Sequence, residues 1–518
     1  MRTRGAVSDV CRPGKLHCTM QNGTLLAAVD LGSNSFRLEI GRLDHGRIQR
    51  TEYHKETVRQ GNGLDADRNL TLDAMQRGWD CLARFGERLA GFKKAQVRAV
   101  ATQTLREARN RDEFLGRAHK ILGFSIDVIS GREEARLIYQ GVTHLLPQSP
   151  ERRLVVDIGG RSTEMILGTG LDPLTMESYR VGSVAWSMKY FPEGQFSARA
   201  FETAQIAAKA VLEEAVNAYR SSAWDVAYGS SGTIGAVSDV LSAAGWPQGQ
   251  VTRAGLQWLL ERLVRAQSAE RLKLDGMKED RRAVIGGGVS VLLAVFGLLE
   301  INEMQAAQGA LRHGVLYDLL DREQDTSDLR STTVQHIGKK FDADAAQAER
   351  VSRVSGQLFT SIMASLKGAE IGRFQRKLHW ASQLHEIGSR ISHSDYHKHG
   401  AYILDNIDAP GFAQPELHRL SLLVLGHRGK LRKLDVDFED RVFVQQLLCL
   451  RLAVILCHAR RDPELDGIEL EAGAGQERLF AIHCPKGWAT RFPQSAWLLQ
   501  EEVVAWQKTL WTFKVNAP

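Results

Sequence analysis

Apolar and polar positions alternate along this chain with two periods, and the switches between them mark its elements. Thr24–Asp30 is an apolar run that ends in an acid. Ser35–Gly41 and Gly46–Val58 alternate residue by residue, so three strands joined by tight turns are predicted. Helical spacing follows over 71–91, carried by Leu72, Met75, Trp79, Leu82 and Leu89. Gln96–Ala101 and Ser125–Ile129 read as short strands, Asp112–Leu122 and Glu133–Leu145 as helices. Further on, Phe201–Tyr219 reads as a helix, Trp224–Tyr228 as a strand and Gly229–Thr233 as a Gly/Ser loop. An amphipathic helix is predicted over 309–320, and around Arg322–Asp328 the pattern breaks into a linker. From 344 to 460 the spacing is mostly helical, and the end reads as a strand, Arg478–His483, then a helix, Ser495–Phe513.

One part of the pattern occurs twice. Leu154–Asp157 is a second apolar run ending in an acid, 127 residues after the first. Asp30, Gly32, Ser35 and Gly41 meet Asp157, Gly159, Ser162 and Gly168 at that offset. The interval is too long for a solenoid repeat. It suits two similar domains facing each other across a cleft.

Composition narrows the class. The 518 residues are 43% hydrophobic and 25% charged, which fits a globular protein of two to four domains and excludes a disordered or fibrous chain. Lys and Arg outnumber Asp and Glu by 67 to 61, a net +6 that permits an anionic partner without demanding one. Denser basic blocks would mark a nucleic-acid binder, so no nucleic acid is expected. The six cysteines form no C-x-x-C pair and are too sparse for a disulfide scaffold, so a reducing, cytoplasmic setting is expected. Residues 1–22 read as a disordered extension with no apolar signal region, or for 1–19 as the product of an early start codon. The uncharged run Ala283–Leu299 is interrupted by Gly286–Gly288 and reads as a buried helix, not a membrane span.

The duplicated D-x-G-x-x-S turn has a chemical rationale. Glycine lets backbone approach a ligand closely, and successive N–H groups in such a turn cradle phosphate oxygens. Serine adds a donor, and the acid can hold a metal ion or a water. Ordinary hairpin turns are the plain alternative.

VDLGSNSFRLEI, ATQTLREA, SGREEARLIYQGV and VVDIGGRSTEMILG, in that order, resemble the exopolyphosphatase/guanosine pentaphosphate phosphatase family. QGALRHGVLYDLL resembles the segment that closes its second domain, and LHEIGSRISHSDYHKHGAYILDN the HD-like helical domain of its long members. The resemblance implies an α/β N-terminal half of duplicated actin-like (ribonuclease H-like) domains. A mostly α-helical HD-like domain and a small α+β terminal domain follow. The implied divisions are 23–145, 146–324, 325–470 and 471–518.

Residue by residue, Glu134 matches the family's catalytic base. Asp157 and Glu164 match its second phosphate-binding motif and are expected to hold Mg²⁺ or another divalent cation, which prefers oxygen ligands and bridges phosphates. Asp30, Gly32, Ser33, Asn34 and Ser35 match the first phosphate loop, and Gly159, Gly160, Arg161 and Ser162 the second. Arg106 matches a phosphate-binding arginine, and Gly229, Ser231, Gly232 and Thr233 stand at a further phosphate loop. Ser130 is a candidate N-cap, with Glu133 completing a capping box while Glu134 does the chemistry. Arg161 replaces a common glycine; the expectation is that it projects into the cleft, where it adds a phosphate contact or narrows substrate choice.

Nine of the 16 histidines fall within 326–470, about twice an even share, yet His385-Glu386 stands where a catalytic HD domain has its metal-binding pair. A second metal site is therefore not expected. His393, His397, Lys398, His399, His427, Arg428 and Lys430, with Arg432 and Lys433, are expected to line a basic track leading polyanions to the cleft. A solvated basic helix end is the bland alternative. The leading functional expectation is processive, Mg²⁺-dependent hydrolysis of inorganic polyphosphate from its end. Hydrolysis of guanosine pentaphosphate is the runner-up, and a non-catalytic actin-like regulator or a sugar kinase are further alternatives. The resemblance also implies a homodimer without stable membrane insertion.

Overall fold

The structure, a computed structural model, describes residues 20–147, 149–322, 328–363, 369–473 and 478–517. Residues 1–19 of the extension and 323–327 of the linker lie outside the described residues, as do Cys11 and Cys18.

The predicted strands form. In chain order they are β1 (Leu25–Leu31), β2 (Phe36–Asp44), β3 (Arg47–Glu56), β4 (Val97–Ala101) and β5 (Ile126–Val128). They make one sheet ordered β3-β2-β1-β4-β5. The hairpin strands are antiparallel, and β4 and β5 join parallel to β1. A second sheet follows, of β6 (Arg152–Ile158), β7 (Thr163–Thr169), β8 (Asp172–Tyr179), β9 (Val226–Ser230), β10 (Gln250–Thr252) and β11 (Glu303–Ala306). Its order is β8-β7-β6-β9-β11-β10. Hairpin, central strand and first parallel neighbour thus recur in the same places, with β11 where β5 stood and β10 added at the edge. This is the duplicated actin-like architecture that the internal repeat foreshadows.

Two helices lie between the sheets and belong to both. Leu137, Ile138 and Val142 of Gly131–Thr143 and Val315 and Leu316 of Leu311–Arg322 share one core with Ala28 of β1 and Val155 of β6. Glycine permits the close crossing: a Cβ on Gly314 would stand 1.8 Å from the Leu137 carbonyl oxygen, and one on Gly141 2.2 Å from that of Ala310. The uncharged run forms the buried helix Ile285–Leu298, and no helix among the described residues is long and apolar enough to cross a membrane.

The C-terminal region packs helices from Leu329–Lys340 to Arg441–Leu456. Its small sheet, β12 (Glu469–Ala472), β13 (Leu479–His483) and β14 (Thr512–Asn516), shares their core through Phe480, Trp506 and Trp511. The expected terminal helix Ser495–Phe513 is shorter, Pro493–Trp506, and β14 follows it. Trp511 explains the break: its indole donates to the Phe438 carbonyl at 2.8 Å and its ring stacks on Phe480. A helix continued through 511 would lose both contacts. The described cysteines, Cys81, Cys449, Cys457 and Cys484, are free and buried.

Candidate active site

The two D-x-G turns face each other across a cavity of about 480 Å³. Asp30, Gly32, Ser33, Asn34 and Ser35 line one wall, Asp157, Gly159, Gly160 and Ser162 the other. Ser231, Gly232 and Thr233 close a side, and Glu134 enters from the first turn of its helix. Thr233 Oγ1 donates to the Ile158 carbonyl at 3.1 Å, which ties this side to the second turn.

The duplication is geometrically faithful and chemically unequal. Asp30 pairs in register with Arg37 across β1 and β2, and Asp157 with Glu164 across β6 and β7. In the first copy the acid is neutralised, with Arg37 Nη1 3.0 Å from Asp30. In the second copy, acid faces acid. Burial drives Asp157 up to about 6, against the Ser230 hydroxyl that favours its ionised form. Glu164 is fully buried and pushed well above the usual carboxylate range by burial, then by Glu134 and Asp157. Ser178 Oγ donates to its Oε1 at 2.7 Å, while its Oε2 has no hydrogen-bond partner.

That orphaned oxygen and the uncompensated Asp157 fit a hard cation. No cage of three or more acidic, histidine or cysteine ligands exists among the described residues. Mg²⁺ does not need one, because it binds through one or two carboxylates, waters and substrate phosphates. Asp157 on the cavity wall would take the ion, with Glu164 directly behind it as the second oxygen donor.

Glu134 is buried, and its carboxyl sits at about 6: burial raises it, Arg106 opposes, and Asp157 and Asp30 add to the rise. Arg106 Nη1 donates to Glu134 Oε2 at 2.8 Å and to the Ile129 carbonyl at 2.8 Å. Its Nε and Nη2 both donate to Gln103 Oε1. Arg106 thus stands behind the acid and does not line the cavity. Its guanidinium is occupied by protein groups, where the sequence suggested a direct phosphate ligand.

Three further expectations are corrected. Arg161 does not project into the cavity; it donates to Glu107 at 2.9 Å and to the Gly61 carbonyl at 3.2 Å, spanning the two halves. Its φ is not positive, so replacing glycine there brings no backbone strain. Gly229 faces inward, where a Cβ would meet Ile234 and Met304 at 2.6 Å. The capping box is half formed. Ser130 accepts from the Glu133 backbone N–H at 3.1 Å, but the Glu133 carboxylate turns instead to Arg136 at 2.8 Å.

The histidine track is divided by the fold. His393, Lys398, Arg428, Lys430, Arg432 and Lys433 are exposed, and His397 and His399 are half-buried. His427 is buried against His385, with its Nδ1 2.6 Å from the Val424 carbonyl. None of them lines the cavity. His427 follows the buried end of the Gln414–Gly426 helix, so its ring turns into the core.

Sequence reasoning missed the cations of the cleft: Arg37, Lys55, Lys278, Arg281 and Arg312. Arg37 was legible, since it occupies the repeat position of Glu164. Arg281 lies over Gly232, where a Cβ would fall 2.1 Å from its Nη2. Burial and then Arg37 pull its pKa down, against Asp280, which lies 3.9 Å from its Nε. Lys55 reaches Asp280 at 2.6 Å and, like Arg161, ties the two halves together.

The description of the Ppx/GppA phosphatase family fits residues 40–323, more than half of the chain, and that of its domain III fits 329–503. The chain belongs to the Ppx/GppA phosphatase family. Its long form, with domain III, is the one present here. An exopolyphosphatase from Cytophaga hutchinsonii is similar, at 26% identity over 57% of this chain and 98% of that one, with a TM-score of 0.52. An exopolyphosphatase-like protein, 24% identical over 57% of this chain and 97% of that one, shares the fold at a TM-score of 0.52. As a Ppx/GppA phosphatase, the protein is a hydrolase.

Proposed function

We propose that this family member is an exopolyphosphatase, which hydrolyses the terminal phosphoanhydride of inorganic polyphosphate and releases orthophosphate. The observation that carries the reading is a buried carboxylate near pH 6, Glu134, set between two mirrored phosphate turns. Phosphoryl transfer needs positioned water and charge neutralisation more than covalent chemistry. Glu134 takes a proton from water as the water oxygen bonds to the terminal phosphorus. The bridging P–O bond breaks, and its oxygen leaves with the shortened chain. Arg106 holds Glu134 in place. Arg37, Lys55, Arg281 and Arg312 line the cavity and, although carboxylates of the protein also hold them, add positive potential for the chain, while the two turns and the helix start at Ser231 orient its oxygens. Asp157 and Glu164 would hold a Mg²⁺, which when bound would add charge neutralisation at the phosphates.

Guanosine pentaphosphate ends in the same bond, and its hydrolysis is the competing reading. The cavity lining favours the linear chain. Tyr53 is its one aromatic side chain among the described residues, and the Arg312 guanidinium lies 5.1 Å over that ring. A purine stacking on the face that Arg312 covers would have to displace that contact. The exposed basic residues His393, Lys398, Arg428 and Lys430, with the half-buried His399, serve in this reading as outlying attraction for a long chain.

The test pairs one variant with one comparison. Glu134→Ala is expected to bind long polyphosphate yet release almost no phosphate, and undiminished release would remove Glu134 as the base. For the unaltered protein, kcat/KM is expected to favour long polyphosphate over the guanosine nucleotide. The reverse preference would replace the first reading by the second.

A further inference from the structure

The start of the helix that carries Glu134 is gripped from the C-terminal region at three places. Ala413 forms an isolated antiparallel bridge with Ile129, the residue before the helix cap. Asp408 lies 3.6 Å from Arg132. The Gly411 backbone N–H donates to Glu133 Oε2 at 2.8 Å, and both residues are buried. The grip is anchored behind. Arg322 Nη2 donates to the Gly411 carbonyl, and Arg136 bridges Glu133 to Asp318.

Each end of this grip leads to the base. On one side the Ile129 carbonyl, fixed by its bridge to Ala413, accepts from the same Arg106 nitrogen that holds Glu134. On the other, Glu133 adjoins Glu134 in the first helical turn and is held by a charge-assisted bond to domain III. Glu133 does not line the cavity and does not cap its own helix.

We infer that the 408–413 turn of domain III positions the catalytic base, acting through Glu133. Domain III is then part of the catalytic machinery's frame as well as a surface for the substrate chain. Glu133 is a positioning residue: it touches no reacting atom, and it fixes where Glu134 sits relative to the phosphate turns. The inference rests on the reading of Glu134 as the base.

The experiment uses the full chain with long polyphosphate. Glu133→Ala is expected to lower kcat at least tenfold while KM moves less than twofold, because binding elements are untouched. Glu133→Gln keeps an acceptor for the Gly411 N–H and is expected to recover at least a third of the lost kcat. Gly411→Ala forces a Cβ 3.0 Å from Arg330 Cγ at a φ of +88° and is expected to lower kcat in the same way. The double variant Glu133→Ala/Gly411→Ala is expected to be no slower than Glu133→Ala alone, which already removes the Gly411 contact together with the bonds from Arg136 to Glu133. Multiplying effects, or a loss confined to KM, overturn the inference. If Glu133→Ala does not fold, Asp408→Arg replaces the half-exposed attraction to Arg132 by repulsion; it is expected to lower kcat about threefold, and an unchanged kcat overturns the inference. Glu134→Ala is run alongside. If it is inactive and Glu133→Ala is fully active, the clamp alone fails; if Glu134→Ala is active, the base assignment fails and takes the clamp with it.

Discussion

At the scale of single residues, the site is built on unequal partners in equal places. The repeat sets Arg37 beside Asp30 and Glu164 beside Asp157. One copy is neutral within itself, and the other sets two acids against each other. The carboxyl of Glu134 answers to the same crowding, and a pH prediction follows from its value of about 6. A general base works only when ionised, so a raised pKa removes activity from the acid side. Between pH 5 and 8, kcat/KM is expected to fall as pH drops through about 6 and to level off above it. A flat profile down to pH 5 would remove Glu134 from the rate law. Sequence gave the identity of this residue through its motif but not its surroundings. Arg106 is held by Gln103, Ile129 and Glu134, and Arg161 by Glu107, 54 residues away. No local pattern reports a charge that finds its partner across a domain seam.

At the scale of elements, periodicity was a good guide where one period ran unbroken. The helices over 71–91 and 112–122 stand within a few residues of their expected ends, as Leu72–Arg88 and Arg111–Leu122. It misled over 495–513, where apolar spacing continues through a real break at which Thr509 bonds to the Trp506 carbonyl and Trp511 packs away from the helix. The crossing of Gly131–Thr143 with Leu311–Arg322 was not legible at all, although the first of these helices carries Glu134. Its two glycines look like any others in a helical pattern. Gly314→Ala would drive a methyl into the Leu137 carbonyl, and overpacking of this kind costs about 1–3 kcal/mol or more. The variant is expected to lower Tm by several degrees and to lower kcat, because the Glu134 helix must move to admit the methyl. A full kcat in the folded variant would show that the crossing does not govern the base.

At the scale of the whole molecule, the parts are fastened to one another by charge as well as by apolar contact. Arg161–Glu107 and Lys55–Asp280 span the cleft walls, and Arg98, Arg136 and Arg322 converge on the buried Asp318. Truncating one partner in such a network leaves the others buried without compensation. Apolar packing is more local. Cys81 belongs to the core under the first sheet, whereas Cys449, Cys457 and Cys484 share the C-terminal core. Burial pushes the Cys457 thiol up to about 12 and the Cys484 thiol to about 11, and moves Cys81 and Cys449 in the same direction. At these four described cysteines the thiol form dominates at neutral pH, so an alkylating reagent must wait for each core to open. With Cys11 and Cys18 changed to serine, the protein therefore carries its own set of clocks. In mild denaturant, mass spectrometry is expected to find three thiols modified at one rate and Cys81 at another. A single common rate would mean that the whole chain opens as one body.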